Sequence, residues 1–352
     1  MNGKRGKISI AVWVVCVISM LYGTIMVTSV FQFDAMKCVL QFVYCAIGLM
    51  MVWLVSHCTD YNGFRKEYRR LYMISCIVLV IWFLLRYVTV PGTEEVSEDV
   101  WIRLGKVALE PMALVFIAVV VASAGLIEKN NKQLSKIGYL LIIPGGIMIL
   151  GNASRSIYIE AAGVFAIIVV GCYAEAVKDK VITIGISAFF LIANYARTVR
   201  VIMLNKDLYG SVLASEHDEM LQAVRRGGVF GNGIGTSTIK KTSSQFSMNI
   251  MFGAVGEEVG LAGILVVICL MAVIAVIAVY VAARAKKTKD HLGNVLVVGV
   301  AVHWIVALVN MIGGFMVSLC VVRIPFFVPT CDTIIFCAEI GVLLLVLKRN
   351  VE

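Results

Sequence analysis

Two adjacent carboxylates, Glu257 and Glu258, lie inside an otherwise apolar stretch that begins near Asn249. A carboxylate can exchange a proton in catalysis, and it can equally form a buried network with a basic partner. Positions 249, 253 and 257 are four apart and share one helix face, which places Glu257 about 12 Å beyond Asn249. Glu258 points about 100° away from that face. The spacing leaves two interpretations open, one catalytic through Glu257 and one structural.

A glycine-rich run, GGVFGNGIG, lies upstream of the carboxylates. Glycine adopts positive φ without strain and lets backbone N–H groups approach a ligand, so the run predicts either a binding loop or a tight re-entrant turn. The G-x-G spacing is not a dinucleotide fingerprint, because no βαβ pattern surrounds it. In the binding interpretation, Gly231, Gly233 and Gly235 contact the substrate.

Two basic pairs, Arg225–Arg226 and Lys240–Lys241, flank the glycine run. Such cations bind phosphate groups, either on membrane lipids nonspecifically or on a particular phosphate-bearing substrate. Ionisable residues within apolar runs are also candidates because they tend to face a cavity, although those near helix ends can reach the interface instead. They are Arg86, Glu160, Arg197 and Arg200.

The elements that must position these residues are predicted to be membrane-spanning helices. Of the 352 residues, 60% are hydrophobic and only 15% are charged, and the mean hydropathy is +0.93. Soluble domains carry about 25% charged residues, so the composition excludes an ordinary soluble protein. Apolar runs of about 20 residues, each able to cross a ~30 Å hydrocarbon core, predict an all-α polytopic protein. We expect ten spans, at roughly 8–30, 36–57, 71–90, 106–127, 137–150, 157–176, 181–203, 247–283, 293–320 and 330–347.

The distribution of charge predicts how these spans are oriented. Lysines and arginines collect in alternate loops, which places both termini in the cytoplasm and accounts for the net charge of +9 without a nucleic-acid partner. The longest loop, 204–246, then lies outside the cytoplasm between spans 7 and 8 of a single integral membrane domain, 1–352. The ten cysteines contain no CxxC pair and are predicted to be structural, with no metal site.

The order of the motifs resembles the FtsW/RodA/SpoVE (SEDS) family of bacterial cell-wall proteins. That family shows a G-G-x-x-G-x-G-x-G run, then an H-T-D-F stretch, then E-E-x-G. Here residues 227–235 match the first element, and Glu257, Glu258 and Gly260 match the last. Weaker fragments follow in the same order: Asp60-Tyr61, WIRLG at 101–105 with Pro111, Asn310 one residue off in spacing, and RIPF at 323–326. The resemblance spans nearly the whole chain and implies a ten-span protein of the bacterial plasma membrane.

The chain departs from the family pattern at the position taken as catalytic. Counting back from the glutamates, the aspartate of H-T-D-F is Asn249 here and the histidine is Ser247, while Ala113 and Phe116 replace a family glutamate and lysine. Glycosyl transfer needs a base for the acceptor hydroxyl, and an asparagine amide cannot serve as one. The leaving diphosphate needs positive charge or a metal. The cations that can supply the charge are Arg103, Arg225, Arg226, Lys240 and Lys241.

The resemblance implies a cell-wall assembly protein of the peptidoglycan glycosyltransferase type. Such proteins polymerise lipid II in division, elongation or sporulation, and Asn249 predicts that catalysis is reduced or lost here, with Glu257 as a substitute base. One alternative is a non-catalytic member that scaffolds a transpeptidase or binds a lipid-linked precursor. A second is a flippase or transporter of polyprenyl-linked saccharides, although no internal repeat of the transporter kind is found.

The same resemblance implies partners and structural residues. The partners are lipid II or another polyprenyl-diphosphate saccharide, a class B penicillin-binding protein and membrane lipids. No cofactor is expected, with a divalent cation left open by analogy. Active members carry the glutamates together with the aspartate, which favours the structural interpretation of the pair. The residues assigned a structural role are Glu258, Pro325 and three glycines that form a small-residue stripe for close helix packing, Gly253, Gly256 and Gly260.

Overall fold

The structure is a computed structural model that describes residues 2–30, 35–59, 61–89, 102–104, 107–109, 111–129, 134–150, 156–204, 209–239, 248–316, 326 and 331–350. Within these ranges the chain is almost entirely helical, which confirms the expected all-α class. The helices are α1 Asn2–Val30, α2 Ala35–Trp53, α3 Tyr61–Thr89, α4 Pro111–Glu128, α5 Ser135–Tyr139, α6 Ile142–Leu150, α7 Ile157–Tyr173, α8 Val177–Leu204, α9 Tyr209–Gly227, α10 Met248–Lys287, α11 His291–Met316 and α12 Cys331–Arg349. A π-helical turn, Leu54–Cys58, continues α2.

Several of these helices can cross a bilayer. Among the described residues, six are long and apolar enough: Lys7–Val30, Cys38–Cys58, Pro111–Glu128, Val177–Ala196, Met251–Lys287 and His291–Gly314. An apolar helix satisfies its backbone hydrogen bonds internally, which is what a segment in hydrocarbon requires. The chain is therefore a multi-pass membrane protein. The ten spans, and the cytoplasmic placement of both termini, stay predictions.

Two helices, α3 and α4, begin at residues other than those expected for their spans. The third span, expected from 71, is preceded by residues 61–70, which form the first turns of α3. The fourth span, expected from 106, begins at Pro111 because a short antiparallel hairpin precedes it. Its strands are β1, Ile102–Leu104, and β2, Val107–Leu109, with Arg103 opposite Ala108.

The expected fifth span, 137–150, is divided into α5 and α6. Pro144 has no N–H to donate to the carbonyl of Leu140, so a continuous helix would lose that bond. The Tyr72 hydroxyl on α3 donates to the same carbonyl at 2.9 Å. The break is therefore satisfied by a side chain from another helix.

The chain forms two compact units, each built from separate stretches of sequence. Unit 1 comprises Met1–Trp53, Val199–Ile277 and Trp304–Gly341. In its core the rings of Trp304 and Phe336 meet edge to face, with centroids 4.9 Å apart. The carboxylates and the glycine run both belong to this unit. The prediction of a single integral membrane domain stays a prediction.

Unit 2 comprises Leu54–Thr198, Ala278–His303 and Val342–Glu352. Helix α4 is almost completely buried in it and packs against α3 and α7. Gly125 allows the closest part of that packing, because a Cβ there would lie 2.5 Å from the ring of Tyr68. Two other helix pairs in the unit also pack through a glycine, Gly138 against Thr183 and Gly163 against Leu191.

Candidate functional site

Glu257 is buried, with 2% of its side chain exposed, and both of its oxygens accept hydrogen bonds. Oε1 accepts from Nε of Arg226 at 2.8 Å and from Oγ1 of Thr238 at 2.6 Å. Oε2 accepts from Oγ of Ser237 at 3.1 Å and from the backbone N–H groups of Thr238 at 2.9 Å and Ile239 at 3.2 Å. This acceptor-only pattern fits an ionised carboxylate that is fully occupied by the chain itself.

Glu258 is equally buried and joins three parts of unit 1. Its Oε2 accepts from the hydroxyl of Ser29 on α1 at 2.6 Å, and its Oε1 accepts from the N–H of Ser237 at 3.3 Å. The Ser29 hydroxyl in turn accepts from the N–H of Gly235 at 2.7 Å. Glu258 and Ser29 together therefore tie the glycine run to the end of α1.

Helix α10 is broken at Gly260, whose φ of 75° and ψ of −170° lie outside the helical region. In an unbroken helix the N–H groups of Leu261 and Ala262 would donate to the carbonyls four residues earlier. Here they donate to the carbonyls of Gly228 and Val229 in the glycine run, each at 3.0 Å. The sequence predicted Gly260 as part of a helical packing stripe, and that is wrong because its backbone is not helical.

The glycine run also satisfies the carbonyls on the other side of the break. The carbonyl of Glu257 accepts from the N–H of Asn232, and that of Glu258 accepts from the N–H of Gly233, each at 3.0 Å. Two bonds of a continuous helix are thus exchanged for four bonds to the glycine run. The break exposes no unsatisfied backbone group at these four positions.

Glycine is required where the two segments touch. A Cβ on Gly260 would lie 2.4 Å from the backbone nitrogen of Gly231, and a Cβ on Gly231 would lie 2.1 Å from the carbonyl oxygen of Glu258. A Cβ on Gly227 would lie 2.0 Å from the carbonyl oxygen of Gly256. These atoms are backbone and cannot move aside as a flexible side chain could. We call residues 227–239 together with 256–262 the glycine clamp.

The other two glycines of the predicted stripe lie in the helical part of α10 before the break. A Cβ on Gly253 would lie 3.1 Å from Cα of Met220, and one on Gly256 would lie 2.5 Å from a methyl of Val224. Met220 and Val224 belong to the buried face of α9. Small residues therefore let α9 and α10 approach closely, as the stripe predicted.

The two arginines at the end of α9 have different surroundings. Arg226 is 44% exposed while its Nε holds Glu257, and its carbonyl accepts from the side chain of Asn232 at 3.2 Å. Arg225 is exposed, and adjacent residues on a helix point about 100° apart. The structure therefore separates a pair that the sequence treated as one cationic group.

Several predicted site residues are described in part or not at all. The backbone of Asn249 lies in the first turn of α10 and that of Arg103 in β1, but their side chains fall outside the described residues. Lys240, Lys241 and Pro325 lie entirely outside them. Their assigned roles stay predictions.

The contacts restrict what the clamp can do chemically. The N–H groups of Gly231, Gly233 and Gly235 already donate to Gly227, Glu258 and Ser29 respectively. A phosphate bound there would have to displace those bonds, and a general base at Glu257 would need a lone pair free for the substrate. The geometry favours the structural interpretation, in which the clamp fixes the helix that begins at Met248. Among the described residues, no group of three or more His, Cys, Asp or Glu is suited to a metal ion.

The sequence did not identify the hydroxyl groups that complete the clamp. Ser237 and Thr238 directly follow the glycine run, so their position next to a predicted binding loop was an available signal. Ser29 had no such signal, because it ends an apolar run 229 residues before Glu258 and only the fold brings the two together.

Glu160, a predicted in-span charge, lies in unit 2. It is buried in the first turn of α7, and its Oε1 accepts from the side-chain amide of Asn194 on α8 at 3.1 Å. The Asn194 amide oxygen accepts from the N–H of Ser156 at 3.4 Å. Glu160 is 2% exposed, so its side chain is packed inside unit 2, and the interfacial depth that the sequence allowed for it stays a prediction.

Comparison of the sequence with known proteins identifies a matching family and several relatives. A sequence profile of the FtsW/RodA/SpoVE family, described as cell cycle protein, matches residues 7–351. The peptidoglycan glycosyltransferase MrdB of Escherichia coli (strain K12) is 25% identical over 295 residues, which cover 80% of this chain and 76% of that protein. The probable peptidoglycan glycosyltransferase FtsW of Geobacter sp. (strain M18) is 25% identical over 282 residues, which cover 74% and 72%.

Solved structures share the fold over almost the entire chain. A chain of a peptidoglycan synthase complex matches with a TM-score of 0.67 at 16% identity, covering 97% of both chains. The rod shape determining protein RodA of Thermus thermophilus matches with a TM-score of 0.64 at 15% identity, again covering 97% of both. These likenesses show the fold, and the profile match over nearly all residues shows the family. The chain is a member of the FtsW/RodA/SpoVE family.

Proposed function

We propose that this protein takes part in peptidoglycan assembly as a glycosyltransferase-type member of its family that acts on lipid II or a similar polyprenyl-diphosphate saccharide. The observation that carries the proposal is the family match over residues 7–351, together with relatives named as peptidoglycan glycosyltransferases. The intact glycine clamp supports it, because the element that fixes the helix bearing Asn249 is complete.

We further propose that polymerisation is slow or lost in this chain because of Asn249. The acceptor hydroxyl must lose its proton as it attacks, and general base catalysis contributes roughly 10²–10⁴-fold to such reactions. The Asn249 amide cannot accept that proton. Glu257 is a poor substitute, because its two oxygens are engaged by Arg226, Ser237, Thr238 and Ile239.

We propose that the positively charged groups that bind the diphosphate are retained in this chain. The guanidinium of Arg226, whose side chain is 44% exposed, supplies positive charge for the diphosphate together with Arg103, Lys240 and Lys241. Arg226 is held in place through its Nε by Glu257, so its remaining donors are oriented before substrate binds. A bound precursor without rapid transfer is the expected behaviour.

The experiment is a polymerisation assay with purified protein, lipid II and three versions of position 249. Wild-type protein should form little or no glycan, and Asn249→Asp should raise the rate by about 10²-fold or more if the base is the missing group. Asn249→Ala is the matched control, and its rate of polymerisation should not rise above that of the wild type. Robust polymerisation by the wild type that survives Asn249→Ala would overturn the assignment of this position.

A binding measurement tests these positively charged groups separately. Lys240→Glu with Lys241→Glu should weaken lipid II binding at least tenfold, because two phosphate contacts become repulsive. The same double change at Lys286 and Lys287, which end α10, is the matched control. Unchanged lipid II binding in the first double variant would show that residues 240–241 do not bind the diphosphate.

The partner is proposed to be a class B penicillin-binding transpeptidase. The support is the fold likeness to a chain of a peptidoglycan synthase complex. Co-expression of this chain with the transpeptidase from its own gene neighbourhood should give a complex that survives purification in mild detergent. A chain that purifies alone under conditions that preserve such complexes would contradict the partner.

A further inference from the structure

The glycine clamp carries an exposed apolar tip that the proposed function does not use. Phe230 is 84% exposed, Ile234 is 60% exposed and Val229 is 57% exposed. Three large apolar side chains turned outward on one short loop are unusual on a surface that meets only water. The tip needs an apolar environment.

Two hydrogen-bonded connections fix the depth of this tip along the membrane normal. Residues 259–283 of α10 carry no Asp, Glu, Lys or Arg, so the charge-free part of that helix, which is long enough to cross the hydrocarbon, begins just after Glu258. The carbonyls of Gly228 and Val229 accept from Leu261 and Ala262, at the first residues of that charge-free run. The tip therefore lies at the level where α10 enters the hydrocarbon.

Helix α1 gives the same depth independently. Its apolar span is Lys7–Val30, and Ser29 lies at the end of it. The Ser29 hydroxyl accepts from Gly235, the neighbour of the exposed Ile234. Two spans of unit 1 thus place the tip at one membrane interface, the one opposite Lys7 on α1.

Hydrogen bonds of the clamp hold the tip in place, and a positively charged residue precedes the tip by a few positions in the chain. Gly228, Gly231, Gly233 and Gly235 all have positive φ, and the loop they form is bonded to α10 and α1 at both ends. Arg225 is exposed four residues before Val229, on the last turn of α9. An apolar side chain beside a cation is the pattern of a segment that inserts among anionic lipids, with the arginine at the phosphates.

We propose that the tip, Val229, Phe230 and Ile234, is a membrane-interface anchor that inserts into the lipid leaflet, with Arg225 bound to the phosphate of an anionic phospholipid. The anchor does not rest on the proposed function, since it would act the same way in an active or an inactive family member. Arg226 is not part of the anchor, because its Nε pairs with Glu257 and its other donors are already assigned to the diphosphate of the substrate.

Photo-crosslinking in a lipid bilayer tests the anchor. The photoreactive p-benzoylphenylalanine replaces Phe230 in the full chain, which is reconstituted in nanodiscs of phosphatidylcholine with or without labelled phosphatidylglycerol. Position 265 on α10, occupied by an exposed leucine in the span, is the lipid-facing control, and position 218 on α9, an exposed aspartate, is the water-facing control. A melting curve in detergent checks that each variant is folded, and position 234 repeats the test if position 230 is not tolerated.

We expect phospholipid adducts at position 230 in yields near those at position 265, with adducts at position 218 near background. Phosphatidylglycerol should be enriched among the position 230 adducts by about fivefold over its share of the lipid, and Arg225→Gln should remove that enrichment. Adducts only within the chain, or a yield as low as at position 218, would overturn the anchor. A protein adduct in place of lipid in native membranes would show instead that the tip is a protein-docking surface, and an unchanged enrichment in Arg225→Gln would overturn the role of Arg225.

Discussion

The Nε atom of Arg226 lies 2.8 Å from Oε1 of Glu257, and the two side chains differ in exposure: the arginine is 44% exposed and the glutamate only 2%. This asymmetry means that the two partners do not depend equally on each other. Glu257 has four further hydrogen bonds from Ser237, Thr238 and Ile239, whereas Arg226 keeps access to solvent.

Glu257→Gln should therefore destabilise the protein by about 3 kcal/mol, because an NH₂ group would face donors inside a buried site. Arg226→Ala should cost only about 1 kcal/mol, since a half-exposed ion pair contributes little and four donors remain on the carboxylate. The free energy of unfolding in mixed detergent micelles measures both, with Arg225→Ala as the neutral control. Equal losses in the two variants would contradict the asymmetry.

A glycine series should separate backbone strain from close contact. Gly260→Ala places a Cβ against three backbone atoms at positive φ, and we expect a loss of about 4 kcal/mol or more, seen as failure to accumulate folded protein. Gly228→Ala also has positive φ but meets open space, so it should cost only about 1 kcal/mol.

Gly171→Ala is the control for that series. Gly171 is exposed in α7 with nothing near its Cβ position, and alanine there should leave stability unchanged or raise it by up to about 1 kcal/mol. Melting temperatures in detergent rank the three glycine variants by stability. A Gly260→Ala protein as stable as Gly228→Ala would show that the clamp is looser than its distances indicate.

Ser29→Ala should loosen the glycine clamp without unfolding the rest of unit 1. The change removes a donor to Glu258 and an acceptor for Gly235, and leaving those buried groups unpaired costs about 1–3 kcal/mol locally. Hydrogen exchange of peptides covering 229–239 should accelerate. Thr28→Ala is the control, because that hydroxyl bonds to the Ile25 carbonyl in its own helix and should not change exchange in the clamp. Unchanged exchange in Ser29→Ala would mean that α1 does not restrain the loop.

Asn194→Ala should destabilise unit 2 by about 2 kcal/mol. Its amide donates to the buried Glu160 carboxylate and accepts from the backbone of Ser156, so removal leaves buried polar groups with fewer partners. Ile192→Ala, on the exposed face of the same helix, should cost less than about 0.5 kcal/mol in detergent. Similar losses in the two variants would show that the Glu160 contact contributes little.

Features that depend on local sequence could be predicted, and those that depend on contacts between distant segments could not. Runs of apolar residues predicted α1, α2 and α11, because hydropathy over about 20 residues is a local property. The division at Leu140 could not be placed, since it is completed by Tyr72 from another helix. Apolar residues on both sides of Gly260 concealed the break in α10, whose hydrogen bonds are made up by residues about 30 positions earlier.

The same distinction holds for the site. The E-E-x-G and glycine motifs identified two segments that bond to each other, and the contacts of the glutamates favour their structural interpretation. What the motifs could not provide was that the glycine run bonds to the backbone carbonyls of the glutamates themselves, through the N–H groups of Asn232 and Gly233, a pairing set by the fold of unit 1.

The break at Gly260 has a mechanical consequence. A glycine with non-helical torsions in the middle of a long helix normally acts as a hinge, about which the two halves can swing. Here four backbone bonds from residues 228–233 straddle the joint, so bending would have to tear them. These bonds hold the two parts of α10 together, so Gly260 should not act as a hinge. A displacement of α9 should move both parts of α10 at once, and flexing of the protein should occur elsewhere.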